Sequence, residues 1–132
     1  MTTQEEQNLW QAAKNQQERL EEMLLTSLQE RDDKLAAAMK DCCSSVTRSI
    51  EEGFKRPASL HFRKNFLVIA KSFNNEYGLL LEQGVNKEYW PKEITGSLLE
   101  KNRTLQQRLQ NAVRTFQLSC VDEGKAVSRA TS

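Results

Sequence analysis

The chain has 132 residues, of which 38% are hydrophobic and 28% charged, with a mean hydropathy of −0.69. This length suffices for one domain with a core and is too short for two independent ones, while the regular spacing of the apolar residues excludes a disordered chain. The net charge of +1 conceals an acidic stretch, net −5 over residues 1–53, and a basic segment, net +5 over residues 54–75.

The N-terminal sequence and the cysteines bear on the compartment. Residues 2–6 (TTQEE) lack the cationic start and the apolar core of a secretory signal, and no apolar run reaches the roughly 18–20 residues that a bilayer span requires. The three cysteines, Cys42, Cys43 and Cys120, are an odd number and a poor disulfide framework. We therefore expect an intracellular protein, in the cytoplasm or nucleus, with no membrane partner.

The first 52 residues contain neither glycine nor proline, which predicts one long helix over about residues 3–53. Its apolar stripe advances by about 3.67 residues per step, which indicates a nearly straight helix rather than a regular left-handed coiled coil. The polar stretch Arg31-Asp32-Asp33 interrupts the stripe, so a bend or break there is the alternative. The stripe consists of Trp10, Ala13, Gln17, Leu20, Leu24, Leu28, Leu35, Met39, Cys42, Val46, Ile50 and Phe54.

A second helix is predicted over about residues 59–83, with Ser59 as a good N-cap shortly after Pro57 and with Gly84 near its end. Its apolar face is rich in aromatic residues and should be the most buried surface of the chain. The stripe on this face consists of Phe62, Phe66, Ile69, Phe73, Tyr77 and Leu80.

A third helix is predicted over about residues 91–118, because Pro91 suits the first turn of a helix. A start near Ser97, which follows Gly96 and precedes Glu100 in a capping-box pattern, is the alternative. The core positions follow a heptad pattern, and beyond residue 118 the periodicity is lost, so we expect 119–132 to be a flexible tail. The core positions are Leu98, Asn102, Leu105, Leu109, Ala112 and Phe116.

These elements predict an all-α fold in which a long N-terminal helix and two shorter helices form a helical bundle or coiled-coil assembly, as one domain over residues 1–118. Each shorter helix matches only half of the long one, so the first half of the long helix would project unpaired. Burying one large apolar side chain stabilises by about 1.5–3 kcal/mol. We therefore expect this arm to bind a second copy, most simply in a dimer, or a partner's helix, through Trp10, Leu20, Leu24 and Leu28.

Asn102 interrupts the apolar core positions of the third helix. A single polar residue at such a position is known to fix the register and the oligomeric state of a helical assembly. We interpret Asn102 as register-setting, and the alternative is a locally hydrated seam.

Catalytic and metal-binding patterns are missing from the sequence. His61 is the single histidine, and the five glycines are scattered, so there is no phosphate-binding loop. No cysteine or histidine spacing is typical of a metal site. We expect a protein that is not an enzyme and has no cofactor, no metal and no small-molecule substrate.

The basic segment is the one feature that indicates an external ligand. It could bind nucleic acid or an acidic partner, together with cations of the third helix. Its alternative role is internal, with the acidic first helix packed against the basic ones. The residues of the segment are Lys55, Arg56, Arg63, Lys64 and Lys71.

The sequence thus favours a helical oligomerisation or adaptor (scaffold) protein that acts through protein–protein contacts. The alternative function is a nucleic-acid-associated protein that uses a basic face on the second and third helices.

Overall fold

The computed structural model of the protein describes residues 3–26, 32–55 and 60–131, and of Thr26 and residues 119–131 it describes the backbone alone. The prediction of an all-helical bundle is confirmed, but the described residues form four helices rather than three. In chain order these are α1 (Thr3–Thr26), α2 (Asp33–Lys55), α3 (Leu60–Asn86) and α4 (Lys92–Thr131).

The long helix predicted over 3–53 is two helices that lie side by side. Trp10 Nε1 of α1 donates a hydrogen bond to Glu51 Oε1 of α2 (2.8 Å), and Thr47 Oγ1 of α2 donates one to Gln17 Oε1 of α1 (2.9 Å). Because rising residue numbers in α1 meet falling numbers in α2, the two helices are antiparallel. The prediction of a continuous rod was wrong.

Asp32 fixes the start of α2. The Asp32 side chain accepts a hydrogen bond from the backbone N–H of Leu35 through Oδ1 (3.0 Å), and its carbonyl accepts the N–H of Ala36 (3.0 Å). Asp32 is therefore the N-cap of α2, a position at which aspartate satisfies an otherwise unpaired N–H. The alternative of a break in the polar stretch is the correct one, although Arg31 lies outside the described residues.

The four helices form an antiparallel bundle with up-down-up-down topology. α2 packs against α1 and α3, and α4 packs against α3 and α1, so that α1 and α3 lie diagonally opposite each other. This arrangement is typical of bundles in which short connections join antiparallel neighbours. In the described part of the chain, none of the helices is apolar over enough of its length to cross a membrane.

The core consists of two apolar clusters at opposite ends of the bundle, with polar side chains between them. One cluster contains Leu9, Ala13, Val46, Ile50, Leu67, Ala70, Leu105, Leu109, Ala112 and Phe116. The other contains Leu20, Met23, Leu35, Met39, Cys43, Tyr77, Leu81 and Leu98.

The buried positions of α3 are rotated by about one residue from the predicted aromatic stripe. The core takes Leu67, Ala70, Asn74, Tyr77 and Leu81 from this helix. Of the predicted stripe, Tyr77 is fully buried, whereas Ile69 is 43% exposed and Phe73 38% exposed. α3 is apolar on two sides, so its periodicity could not show which side faces the core.

The start of α4 is fixed by Pro91, and its end lies beyond the predicted one. The carbonyl of Pro91 accepts the N–H groups of Ile94 and Thr95 (both 3.1 Å), so α4 begins at Lys92, directly after the proline. The helix continues to Thr131, well beyond residue 118, where the prediction had ended it and begun a tail.

Candidate interaction surfaces

The predicted intermolecular residues on α1 are covered within the chain. Leu20 is fully buried in the core, and Trp10 and Leu24 are half-buried against the two apolar clusters. Leu28 lies outside the described residues. Because α2 folds back along α1, this stripe is not unpaired, and the physical reason for placing a second copy on it disappears.

Asn102 belongs to a buried group of amide side chains that joins three helices. Its Nδ2 donates to the backbone carbonyl of Asn74 (2.9 Å) and to Gln16 Oε1 (3.3 Å). Gln16 Nε2 donates to Asn74 Oδ1 (2.9 Å), while Asn74 Nδ2 donates to the carbonyl of Asn102 (3.2 Å) and to Gln106 Oε1 (2.8 Å). We call Gln16, Asn74 and Asn102 the amide layer.

The amide layer lies between the two apolar clusters and is shielded from water. Gln16 is 1% exposed, Asn74 0% and Asn102 6%. A shift of one helix along another would break these bonds and leave amide groups unpaired in the core, which is costly. The layer thus supports the register-setting role of Asn102, which stays a prediction.

The outward side of α3 carries large apolar residues and few charges. Val68 is 44% exposed, Ile69 43%, Phe73 38% and Leu79 53%. Two of the twelve exposed residues of α3 are charged, against six of seven on α2. We define the α3 face as the exposed residues from 65 to 79, namely Asn65, Val68, Ile69, Ser72, Phe73, Asn75, Glu76 and Leu79.

A second candidate surface is an open groove between α1 and α4, with a volume of about 940 Å³. It is lined by residues 5–15 of α1 and 97–115 of α4, with Leu9, Ala12, Leu105 and Ala112 as its apolar residues. A smaller depression of about 450 Å³ shares Ser97 and Lys101 with this groove and extends along Arg19–Met23 and Glu93–Leu98. We call the two together the α1–α4 groove.

The predicted basic residues do not form one surface. Arg63 Nη1 lies 3.7 Å from Glu6 Oε1, with side chains 27% and 20% exposed, so this cation is paired with the acidic first helix. Lys55 is exposed at the end of α2, and Arg56 lies outside the described residues. The internal alternative therefore holds for Arg63.

Lys64 and Lys71 lie on the side of α3 that faces α4. They precede Gly78 by fourteen and seven residues and so share its side, where Gly78 meets the Asn102 side chain. On α4, Arg103 and Arg114 lie on the solvent side of the contact that Gln106 makes with α3. We call these four cations, Lys64, Lys71, Arg103 and Arg114, the α3–α4 flank.

Neither described cysteine is an activated nucleophile. Burial raises the pKa of the Cys43 thiol far above its usual value, and it likewise raises that of the Tyr77 hydroxyl. Burial raises the pKa of Cys42 too, helped by the Glu76 and Asp41 carboxylates. Cys43 rather than Cys42 occupies the core position, and both thiols stay protonated at neutral pH.

The sequence analysis did not predict that Gln16 and Asn74 are buried at the centre of the bundle. For Asn74 a signal was present, because it falls in the 3-4-3-4 spacing that also contains Leu67, Tyr77 and Leu81.

Within the described ranges, no three His, Cys, Asp or Glu side chains cluster closely enough to hold a metal ion.

Comparison with known proteins gives information on the fold alone. No protein-family model matches this sequence, and no curated protein sequence matches it. A crystal structure from Bacteroides thetaiotaomicron, described as a protein with unknown function from the S23 ribosomal protein family, superposes with a TM-score of 0.74. The match covers 83% of this chain and 98% of that one, at 17% sequence identity, so the two proteins share a fold.

Proposed function

We propose that this protein is a non-enzymatic helical interaction module, an oligomerisation or adaptor protein, and that it binds a protein partner through the α3 face. The observation that carries the proposal is the composition of that face. Val68, Ile69, Phe73 and Leu79 are all more than one-third exposed, and Glu76 is the one charged residue among the eight that define it.

This composition matches the centre of a protein interface better than an ordinary surface. Interface centres are depleted of charged residues and enriched in aromatic ones, whereas single exposed apolar residues are common everywhere. Ile69 and Phe73 are four residues apart and so adjoin on the helix surface, while Val68 and Leu79, eleven residues apart, share one line along the same outward side. Covering these side chains would stabilise a complex by roughly 25 cal/mol for each Å² of apolar surface removed from water.

The chemistry of the remaining side chains supports a binding role over catalysis. His61 is exposed at the start of α3, the Cys42 and Cys43 thiols are protonated at neutral pH, and no metal-binding cluster occurs among the described residues. In the larger part of the α1–α4 groove, nine of the fifteen lining residues carry amide, hydroxyl or alanine side chains, which are suited to holding or orienting a partner.

Photo-crosslinking tests the proposal directly. We would place a photoreactive phenylalanine analogue at Phe73, and a matched control at Leu25, an apolar residue that is 85% exposed on α1. Irradiation in the native host should give a protein adduct at residue 73 and none of comparable yield at residue 25. Equal yields at both positions would contradict the proposal, and mass spectrometry of the adduct would identify the partner.

A second candidate function, binding to nucleic acid, is favoured by the α3–α4 flank. Its four cations lie on adjacent sides of two packed helices, where they could contact successive phosphates. Because the structure similar to this chain belongs to a family named for a ribosomal protein, a structured RNA is the natural probe.

The second candidate has its own test. Arg103→Glu with Arg114→Glu should abolish the RNA shift in a gel at low salt, and the wild-type affinity should fall steeply as salt rises. The matched control is Lys34→Glu with Lys40→Glu on α2, which reverses two exposed cations elsewhere. Equal loss in both variants would indicate non-specific attraction and remove this candidate.

A further inference from the structure

We infer that α1 is a movable cover of the bundle, which separates from α2 and α4 as one unit and uncovers the buried Cys43 thiol, while α2, α3 and α4 stay packed together. The inference concerns the side of the molecule away from the α3 face, since α1 and α3 lie diagonally opposite each other. It is therefore independent of the proposed function.

α1 packs less closely against its neighbours than the other helices do. The backbones of α2 and α3, and those of α3 and α4, come close at many positions, whereas α1 approaches α2 and α4 at fewer. Glycines permit the close approaches: a Cβ at Gly53 of α2 would lie 3.0 Å from Phe66 Cβ of α3, and one at Gly78 of α3 would lie 2.5 Å from Asn102 Oδ1 of α4. α1 contains no glycine, so its side chains keep its backbone further away.

The order of the helices around the bundle makes α1 the one that separates most readily. α1 packs against α2 and α4, and both of these interfaces are of the looser kind. Release of α2 or α4 would instead separate one close interface, and release of α3 would separate two. Proteins open locally through their least stable cooperative unit, and in this bundle that unit is α1.

The interface between α1 and α4 is also open to solvent along one side. The larger part of the α1–α4 groove, about 940 Å³, runs along it. Beneath the groove Leu9 and Leu105 belong to one apolar cluster, and across it Lys101 Nζ donates an exposed hydrogen bond to Asn15 Oδ1 (3.2 Å). Water replaces an exposed bond of this kind at little cost, so the apolar contact is what α1 gives up when it leaves α4.

The amide layer allows α1 to leave without disturbing α3 against α4. Asn74 and Asn102 each donate to the other's backbone carbonyl, and neither bond involves α1. Gln16 adds one bond to each of these side chains, and water can satisfy all of the groups concerned once α1 is away. Asp32 caps α2 through the N–H of Leu35, so the start of α2 does not depend on α1 either.

Cys43 lies beside α1 in the core and reports its departure. Its side chain is 0% exposed and belongs to the same apolar cluster as Leu20 and Met23 of α1. Burial raises the pKa of this thiol far above its usual value, and the Glu21 carboxylate of α1 adds to the rise. Departure of α1 removes that carboxylate and part of the burial, so the thiol becomes reactive only in the open state.

Thiol labelling of the full chain tests the inference. With Cys42→Ser and Cys120→Ser in place, Cys43 is the single thiol of the chain, and N-ethylmaleimide can modify it only when it is uncovered. The rate of modification, followed by mass spectrometry, then measures how often Cys43 is exposed. Circular dichroism establishes that each protein used is folded.

Two matched variants of this single-thiol protein distinguish release of α1 from unfolding of the whole bundle. Gln17→Ala removes the hydrogen bond from Thr47 Oγ1 that joins α1 to α2 (2.9 Å). Gln106→Ala removes the hydrogen bond from Asn74 Nδ2 that joins α3 to α4 (2.8 Å). Both replace a half-buried glutamine with alanine, so the change in helix propensity is the same in both.

We expect Gln17→Ala to speed the labelling of Cys43 about fivefold, the factor that corresponds to one net hydrogen bond. Gln106→Ala should leave the rate unchanged, because the bond it removes is present whether α1 is docked or released. Equal acceleration by both variants would show that the thiol is reached through unfolding of the whole bundle, and no acceleration by Gln17→Ala would show that α1 does not cover it. Either result overturns the inference.

Hydrogen exchange gives a second readout that does not depend on the thiol. The backbone amides in the middle of α1 should exchange at least about tenfold faster than those in the middle of α3, and Gln17→Ala should speed the former alone. Amides of α1 that exchange as slowly as those of α3 would contradict the inference. None of these measurements involves the α3 face, so their failure would leave the proposed function standing.

Discussion

Asn74 of α3 and Asn102 of α4 bond each other's backbone reciprocally: Asn74 Nδ2 donates to the carbonyl of Asn102 (3.2 Å), and Asn102 Nδ2 donates to that of Asn74 (2.9 Å). Gln16 of α1 bonds to both side chains. This reciprocal pair of hydrogen bonds fixes the register of α3 against α4, because moving either helix by one turn along its axis would break both bonds. It lies between the two apolar clusters, where unpaired amides are most costly.

Replacing Asn102 with leucine should destabilise the protein. The change leaves Gln16 Oε1 without its donor and removes the Asn102 side of the reciprocal pair, at a cost of about 2–3 kcal/mol. Urea denaturation followed by circular dichroism would measure the loss. Thr104→Leu, at an exposed position on the same helix, should change stability by less than about 0.5 kcal/mol, and a similar loss in both variants would contradict the role of the layer.

An all-leucine layer separates stability from register. The triple variant Gln16→Leu, Asn74→Leu and Asn102→Leu removes every member of the amide layer and should regain much of the stability lost in Asn102→Leu. We expect it to lose the single helix register, which nuclear magnetic resonance would show as extra or broadened amide peaks. One sharp set of peaks would show that apolar packing alone sets the register.

Gly78 and Gly96 form a matched pair of helical glycines. A Cβ at Gly78 would come within 2.5 Å of Asn102 Oδ1, whereas one at Gly96 would meet nothing within 4 Å. Gly78→Ala should therefore destabilise by about 1–3 kcal/mol, since it displaces a buried amide. Gly96→Ala should stabilise by about 1 kcal/mol through helix propensity alone, and thermal melts should shift in opposite directions.

Glu88, just beyond the end of α3, offers a stabilising substitution. Its φ of 56° lies in the left-handed region, and the N–H of Tyr89 bonds back to the carbonyl of Gly84 (3.1 Å), as in a Schellman motif. Glu88→Gly should remove a backbone cost of about 1 kcal/mol and raise the melting temperature. The control, Glu82→Gly, lies inside α3 and should lower stability by about 1 kcal/mol.

Asp32 determines where α2 begins. Asp32→Ala removes the acceptor for the N–H of Leu35 and should destabilise by about 1 kcal/mol, as measured by urea denaturation. Asp32→Asn retains a side-chain oxygen at the same place and should cost only a few tenths of a kcal/mol. Equal losses in both variants would show that the charge, rather than the hydrogen bond, is what α2 requires.

The sequence predicted the helical class well because apolar spacing determines it. It failed at Asp32, which caps the start of α2 although the first 52 residues contain no glycine or proline. Helix propensity favours a continuous helix there, and the return of α2 along α1 is favoured only by tertiary packing, as the bond from Trp10 to Glu51 illustrates.

The candidate surfaces were harder to predict. Asn102 could be predicted as a core position because its apolar neighbours on α4 are strictly periodic. Gln16 was missed because the predicted stripe contained Gln17 in its place. On α3, both Tyr77 and Phe73 fit an apolar stripe, and only the position of the other helices decides that Phe73 is the exposed one. Contacts between helices carry this information, and periodicity within one helix does not.

Hydroxyl-radical footprinting of Phe73 tests the central claim, that a protein covers the α3 face, most directly. The protein would be oxidised in native-host extract and, separately, as the purified variant Val68→Lys with Leu79→Lys, which keeps Phe73 but should not bind. We predict several-fold slower oxidation of Phe73 in the extract, with Leu25 oxidised at the same rate in both samples. Equal rates at Phe73 would show that the α3 face is uncovered and would contradict the account.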